Sequence, residues 1–274
     1  MSEQATAETI AQAFVAARRA KQGFADYPGA MPATLAEAYA IQAEAIALFG
    51  APIAGWKVGR VPDGLVERYG ANRLAGPIFA GSVVWADAEE QPEMPVFRNG
   101  FGAAEAEYLA RLGPLPASFD RAWTNADVLP YIAELRVGIE IASSPFAGIN
   151  EHGPAVTVSD FGNNNGLLIG YGISSEEDFL SWPVSLSIDG EVAGTGTAGE
   201  CSTGRSGRYA SCSNWRPGRV CRCRKGSGFQ PAPSPASTRS GRGRRWRHGS
   251  GRAGAWNAGS ESPDSGYDRM GLER

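Results

Sequence analysis

Residues 135–144 read LRVGIEIASS. Val137, Ile139 and Ile141 mark a buried strand, and Glu140 sets a carboxylate in the middle of it. A charge moved from water into apolar surroundings is strongly destabilising unless it is paired, so Glu140 calls for a partner. The run AAEAEYL at 103–109 offers two more acids, Glu105 and Glu107. On a strand, residues two apart share a face, so these two carboxylates point one way and the flanking alanines the other. Three converging carboxylates repel one another unless a cation holds them, and an oxygen-only ligand set suits Mg²⁺ or Mn²⁺. Taken alone, E-x-E is read more simply as a solvated strand face; Glu140, among its apolar neighbours, is the informative member.

Working outward, the same texture of short β-like runs broken by Gly, Pro and Asn extends from Ala51 through APIAGWKVGR, GPIFAGSVVW, AVTVSDFG, GLLIGYGI and VSLSIDGEVAGTG. Asp189-Gly190 in the last run is a hairpin turn signal. The first 50 residues differ. ETIAQAFVAARRAKQG has Ile10, Phe14 and Ala17 at helical spacing, with Gly23 as its stop. TLAEAYAIQAEAIALFG carries a capping box in Thr34 and Glu37 and a terminal glycine, Gly50. Helices gathered at one end, followed by many strands, indicate an α+β fold with a curled mixed sheet as its core.

The 274 residues join two different polymers. Residues 1–200 carry 11 Lys/Arg against 25 Asp/Glu, whereas 201–274 carry 15 against 4. From the Val/Ile/Leu/Phe/Met set, the last 74 residues contain only Val220, Phe229, Met270 and Leu272. That is too little apolar surface to offset chain entropy, so a disordered basic tail over 201–274 is expected beside a globular domain over 1–200, helical over 1–50 and β-rich over 51–200. The polar start, the lack of a spanning apolar run and a cysteine-free first part suit a cytoplasmic protein with no membrane partner.

Three other stretches carry possible chemistry. GWKVG sets Lys57 between glycines and beside Trp56, where it either snorkels to water, pairs with an acid or binds an anionic substrate. SDFGNNNGLLIG at 159–170 places three consecutive amides before a buried strand, as an asparagine-rich turn or as uncharged donors and acceptors at a pocket mouth. His152 has no second histidine or cysteine within 1–200, which argues against zinc and Ser-His-Asp chemistry.

AYAIQ at 38–42, GWKVG at 55–59, EAEYLARL at 105–112, GIEIASSPF at 138–146, SDFGNNNGLLIG at 159–170 and DGEVAGTG at 189–196, in this order, resemble the fumarylacetoacetate hydrolase superfamily. The match is to its branch of 2-keto-4-pentenoate hydratases and 4-oxalocrotonate decarboxylases and covers roughly residues 10–200. The resemblance implies N-terminal helices followed by a mixed β-roll, and a homo-oligomeric, metal-dependent enzyme of aromatic catabolism acting on a short 2-keto or 2-hydroxydienoic acid. It maps the metal ligands onto Glu105, Glu107 and Glu140 and the active-site lysine onto Lys57. Asn163, a candidate catalytic residue, falls where the family often has a serine, and Pro145 where an arginine commonly follows the third ligand. The implied reaction is hydration of 2-hydroxypenta-2,4-dienoate to 4-hydroxy-2-oxopentanoate, with a 4-oxalocrotonate-type decarboxylation or related hydrolysis as the alternative.

The tail admits three readings. Cys201, Cys212, Cys221 and Cys223 follow no common zinc-ligand spacing. GRGRRWRHGSGR at 241–252 has the charge for nonspecific phosphate binding. That would make the chain an inactive remnant with a nucleic-acid-binding arm, although nucleic acid is not the expected partner. The preferred reading is a shifted reading frame: one base back, CSTGRSGRYASC at 201–212 is compatible with V-L-D-G-P-V-G-S-V-R-F-L, and residues 213–243 with a helix, a loop and a strand-like W-V-S-T-G-A-V-T-G. The β-roll would then be incomplete at its C-terminal end, with exposed strand edges.

Overall fold

The structure, a computed structural model, describes residues 3–86, 92–116, 123–174, 179, 182–188, 191–197 and 220–223. Two helices open the chain, α1 (Glu3–Ala20) and α2 (Leu35–Phe49), and they pack against each other. Helix α2 begins and ends as its sequence dictates: Thr34 and Glu37 exchange capping-box hydrogen bonds, and Gly50 closes the helix at φ 68°. Helix α1 stops earlier than read. Lys21, at φ 55°, takes the left-handed position expected of Gly23. Gly23 instead answers to a close approach, since a Cβ there would lie 2.5 Å from the backbone of Asn99 and Gly100.

The strands follow as β1 (Ile53–Arg60), β2 (Arg73–Phe79), β3 (Val83–Trp85), β4 (Phe101–Leu112), β5 (Ile132–Ser144), β6 (Asn164–Ile173), β7 (Pro183–Ile188), β8 (Glu191–Thr197) and β9 (Val220–Cys223). Seven form one mixed sheet in the order β2-β1-β9-β4-β5-β6-β3, while β7 and β8 pair as an antiparallel hairpin. The turn residues 189 and 190, where the hairpin signal was read, lie outside the described residues. Strands β4, β5 and β6 run antiparallel to their neighbours in this series, and β3 runs parallel to β6. This is the α+β class with a mixed sheet expected from the sequence.

One β-like run proves to be a helix. Residues 154–159, PAVTVS, form α5 (Pro154–Ser159), after α3 (Asp63–Tyr69) and α4 (Asn125–Val128). Pro154 fixes a helical φ at the first turn. Pro154, Ala155, Val156, Val158 and Ser159 are all buried, so packing outweighs the strand preference of the two valines.

Two observations establish that the sheet curls on itself. Ile78 of β2, Leu109 of β4 and Leu167 and Ile169 of β6 share one apolar cluster, although β2 and β6 are far apart in sheet order. The opposite face of β5 and β6, with Ile139, Ile141 and Leu168, packs with Met94 and carries Leu186 of β7 against it. A third cluster joins Phe14, Tyr27, Ile41, Phe79, Phe146 and Phe161, and so seats α1 and α2 against one end of the roll. No helix among the described residues is long and apolar enough to cross a membrane.

The expectation of a disordered tail falls on residues outside those described, except for β9, which carries Cys221 and Cys223. That four-residue strand lies between β1 and β4, meeting β1 only at Trp56 and β4 along Tyr108–Arg111.

Gly76, on β2 opposite Lys57, is the tightest point of the roll, because a Cβ there would lie 2.0 Å from the carbonyl oxygen of Phe161. Gly76→Ala is expected to destabilise the fold by at least about 1–3 kcal/mol, the range for overpacking, as measured by urea unfolding. Wild-type stability in this variant would show that the 161–163 turn is free to move off β2.

Candidate metal and lysine site

Glu140 faces the interior of the roll because β5 alternates, with Ile139 and Ile141 packed on the other face. Antiparallel pairing places Glu105 of β4 directly opposite Glu140, and Glu107 opposite Gly138, where the Leu109 side chain occupies the space that a Cβ would take. All three carboxylates therefore share one face. Their oxygens lie within 4.8 Å of one another, with Glu140 and Glu107 buried and Glu105 partly so.

At such a separation and an effective dielectric near 20, two unit charges repel by about 3 kcal/mol. Among the described residues, one ammonium pairs with the cluster. The ammonium of Lys57, 2 % exposed, stands 3.6 Å from Glu140 Oε2. It donates hydrogen bonds to the carbonyl oxygen of Gly162 at 2.8 Å and to Asn163 Oδ1 at 3.0 Å. Lys57 reaches Glu140 from a strand that is not its sheet neighbour, so the curl of the sheet assembles this pair. An all-oxygen donor set of three carboxylates fits a hard divalent cation such as Mg²⁺ or Mn²⁺.

The 159–165 turn holds this arrangement from one side. Phe161, Gly162 and Asn163 have φ of 55°, 61° and 58°, three consecutive left-handed residues of which two carry side chains. Such conformations cost roughly 1–3 kcal/mol each and persist only where the surroundings fix them. They aim the Gly162 carbonyl and the Asn163 amide at Lys57. Asn163 is fully buried, and its Nδ2 donates to Asn150 Oδ1 at 3.1 Å, so its side chain is engaged at both ends. Asn164 Nδ2 donates to Glu140 Oε1 at 2.6 Å.

The structure thus brings Glu105, Glu107, Glu140, Lys57 and Asn163 together. His152 stacks on Phe146 instead. Sequence reasoning passed over Asn164, Asn150, Gly76 and the pair Arg18–Asp160. Asn164 was legible only as one amide among three, but Arg18 carried a signal: it follows Ile10 and Phe14 at intervals of four, a cation on the apolar stripe of α1. Nearby, Tyr27 donates to Ser159 Oγ at 2.9 Å. Burial pushes the Tyr27 phenol up to about 12, with the charge of Asp160 adding to the rise and the Ser159 hydrogen bond opposing it, so it remains a donor at neutral pH.

No family model and no curated protein matches the chain. Solved structures do. The 4-oxalocrotonate decarboxylase from Pseudomonas putida G7, complexed with calcium and acetate, aligns with a TM-score of 0.57 at 18% sequence identity, covering 79% of this chain and 85% of that one. The same enzyme complexed with magnesium and adipate aligns with a TM-score of 0.57 at 19% identity, covering 78% and 85%. The chain therefore has the fold of that decarboxylase, the fumarylacetoacetate hydrolase type expected from its motifs.

Removing one member of a buried ion pair typically costs 3–5 kcal/mol, because the remaining charge is stranded. Lys57→Met is accordingly expected to lose about that much unfolding free energy at pH 7, as measured by urea denaturation. A variant as stable as wild type would show that Lys57 does not compensate the carboxylates.

Proposed function

We propose that Glu105, Glu107 and Glu140 hold a Mg²⁺ or Mn²⁺ ion and that the chain is a hydro-lyase adding water to 2-hydroxypenta-2,4-dienoate. The observation that carries this reading is the convergence of three carboxylates with a nearly dry lysine ammonium inside the roll. When bound, the cation would supply Lewis-acid stabilisation of the negative charge that develops on a 2-oxo acid.

The chain's own residues do the rest. Lys57 presents a fixed positive charge at the edge of the carboxylate cluster, where it orients an anionic substrate and can hold a proton at Nζ. Asn163 and the Gly162 carbonyl fix the ammonium, since both accept hydrogen bonds from it. Asn164 fixes the rotamer of Glu140. Ile78, Leu109 and Leu167 close the roll behind the site and exclude water from its inner wall. In the hydration, the dienol becomes the ketone and water adds at C4, giving 4-hydroxy-2-oxopentanoate.

The similarity in fold to 4-oxalocrotonate decarboxylase favours a second reading, in which the same charge-stabilising site receives the electron pair released by loss of CO₂. Products separate the two. Incubation with 2-hydroxypenta-2,4-dienoate and Mn²⁺ is expected to yield the hydrated acid, whereas release of CO₂ from 4-oxalocrotonate without hydration would select the decarboxylase. Glu140→Ala and Glu107→Ala are each expected to lower turnover at least about 100-fold. Turnover and Mn²⁺ binding retained in both variants would exclude this site.

We further propose that residues after Glu200 are read out of frame and that the chain as written is impaired in folding and activity, while the corrected chain is an active homo-oligomer. The charge reversal at that point and the short β9, joined to β1 through one residue, support this reading. Sequencing the DNA around codon 200 is expected to reveal a one-base shift. An intact frame would remove the idea, and steeply salt-dependent RNA binding by the isolated 201–274 peptide would then favour the nucleic-acid arm.

A further inference from the structure

Helix α1 lies in a different layer from the four groups that form the carboxylate and lysine site, yet one of its side chains ends beside them. Arg18 is 8 % exposed and forms a bidentate pair with Asp160, its Nε donating to Oδ1 at 2.6 Å and its Nη2 to Oδ2 at 2.8 Å. The same guanidinium donates through Nη1 to the Asn164 carbonyl at 3.1 Å and to Asn165 Oδ1 at 3.3 Å. Through Nη2 it reaches the carbonyls of Asp160 at 3.4 Å and Ser143 at 3.5 Å. Its Cζ stands 4.7 Å from the centroid of the Phe161 ring. Asp160 is completed by Ser144 Oγ, which donates to its Oδ2 at 2.7 Å.

These contacts bracket the strained turn. Asp160 lies immediately before the three left-handed residues and Asn164 immediately after them, and Arg18 grips both. What the turn delivers is the lysine cradle, Gly162 and Asn163, and the Glu140 partner, Asn164. A planar fork can hold two segments of backbone at a fixed distance, which a lysine ammonium at this position could not do.

We propose that Arg18 is a positioning residue for the site: by clamping residues 160 and 164 it sets Asn164 against Glu140 and Gly162 and Asn163 against Lys57, and so tunes cation affinity from outside the ligand set. The N-terminal helix is then part of the active-site architecture. This inference rests on the metal-dependent reading above.

The test is a Mn²⁺ titration of the full chain, followed by electron paramagnetic resonance of free Mn²⁺, for wild type, Arg18→Lys and Arg18→Ala, with thermal unfolding of each in parallel. Outer-shell changes commonly weaken metal affinity by about 10–100-fold, and a loss of at least about tenfold is expected in Arg18→Lys. Ethylguanidinium is expected to restore affinity in Arg18→Ala, whereas ethylamine at equal ionic strength is not. A folded Arg18→Lys that binds Mn²⁺ as wild type does overturns the inference alone. So does equal rescue by both amines, or a loss of affinity in Arg18→Ala that neither reverses. If Arg18→Ala fails to fold, Arg18→Lys decides. Wild type that unfolds cooperatively yet binds no Mn²⁺ overturns the functional reading itself and this inference with it.

Discussion

Like charges held within 4.8 Å inside a protein must be neutralised, and Glu105, Glu107 and Glu140 impose that requirement on everything around them. The β4–β5 register makes the cluster unavoidable: once Glu105 lies opposite Glu140, Glu107 must face the same interior. Compensation arrives from two sides. The curl of the sheet brings the Lys57 ammonium from β1, and the 161–163 turn accepts two of its hydrogen bonds. The anionic, all-oxygen donor set is the chemical argument for a divalent cation.

The price of this arrangement is backbone strain at Phe161 and Asn163, and the protein meets it by over-determining the turn. Gly76 lets the turn sit directly on β2, Arg18 and Asp160 clamp its start, and Asn150 secures Asn163 from the neighbouring loop. The aromatic cluster of Phe79 and Phe161, with Phe49 of α2, packs the turn from the helical side. Helices, sheet and loop thus converge on the position of one ammonium group.

Much of this was legible in the chain because burial writes periodicity into strands. The alternation around Glu140 and the two-residue spacing of Glu105 and Glu107 disclosed both the strands and the shared face. The capping box disclosed the start of α2. Residues 154–159 misled because a Val-Thr-Val sequence prefers a strand in isolation, and the burial of every residue but Thr157 explains its helix. Lys21 ended α1 before the glycine that seemed made for the task. The clamp was hidden for a different reason. Arg18 and Asp160 are 142 positions apart, so their pairing is a property of the tertiary fold, although an arginine on the stripe of Ile10 and Phe14 was a visible anomaly.

The most direct test of the central claim is anomalous diffraction from crystals of the chain grown with Mn²⁺. The account predicts a single strong peak among the carboxylate oxygens of Glu105, Glu107 and Glu140, beside the Lys57 ammonium. A structure at full Mn²⁺ saturation with no peak there, or with the ion bound elsewhere, would contradict it.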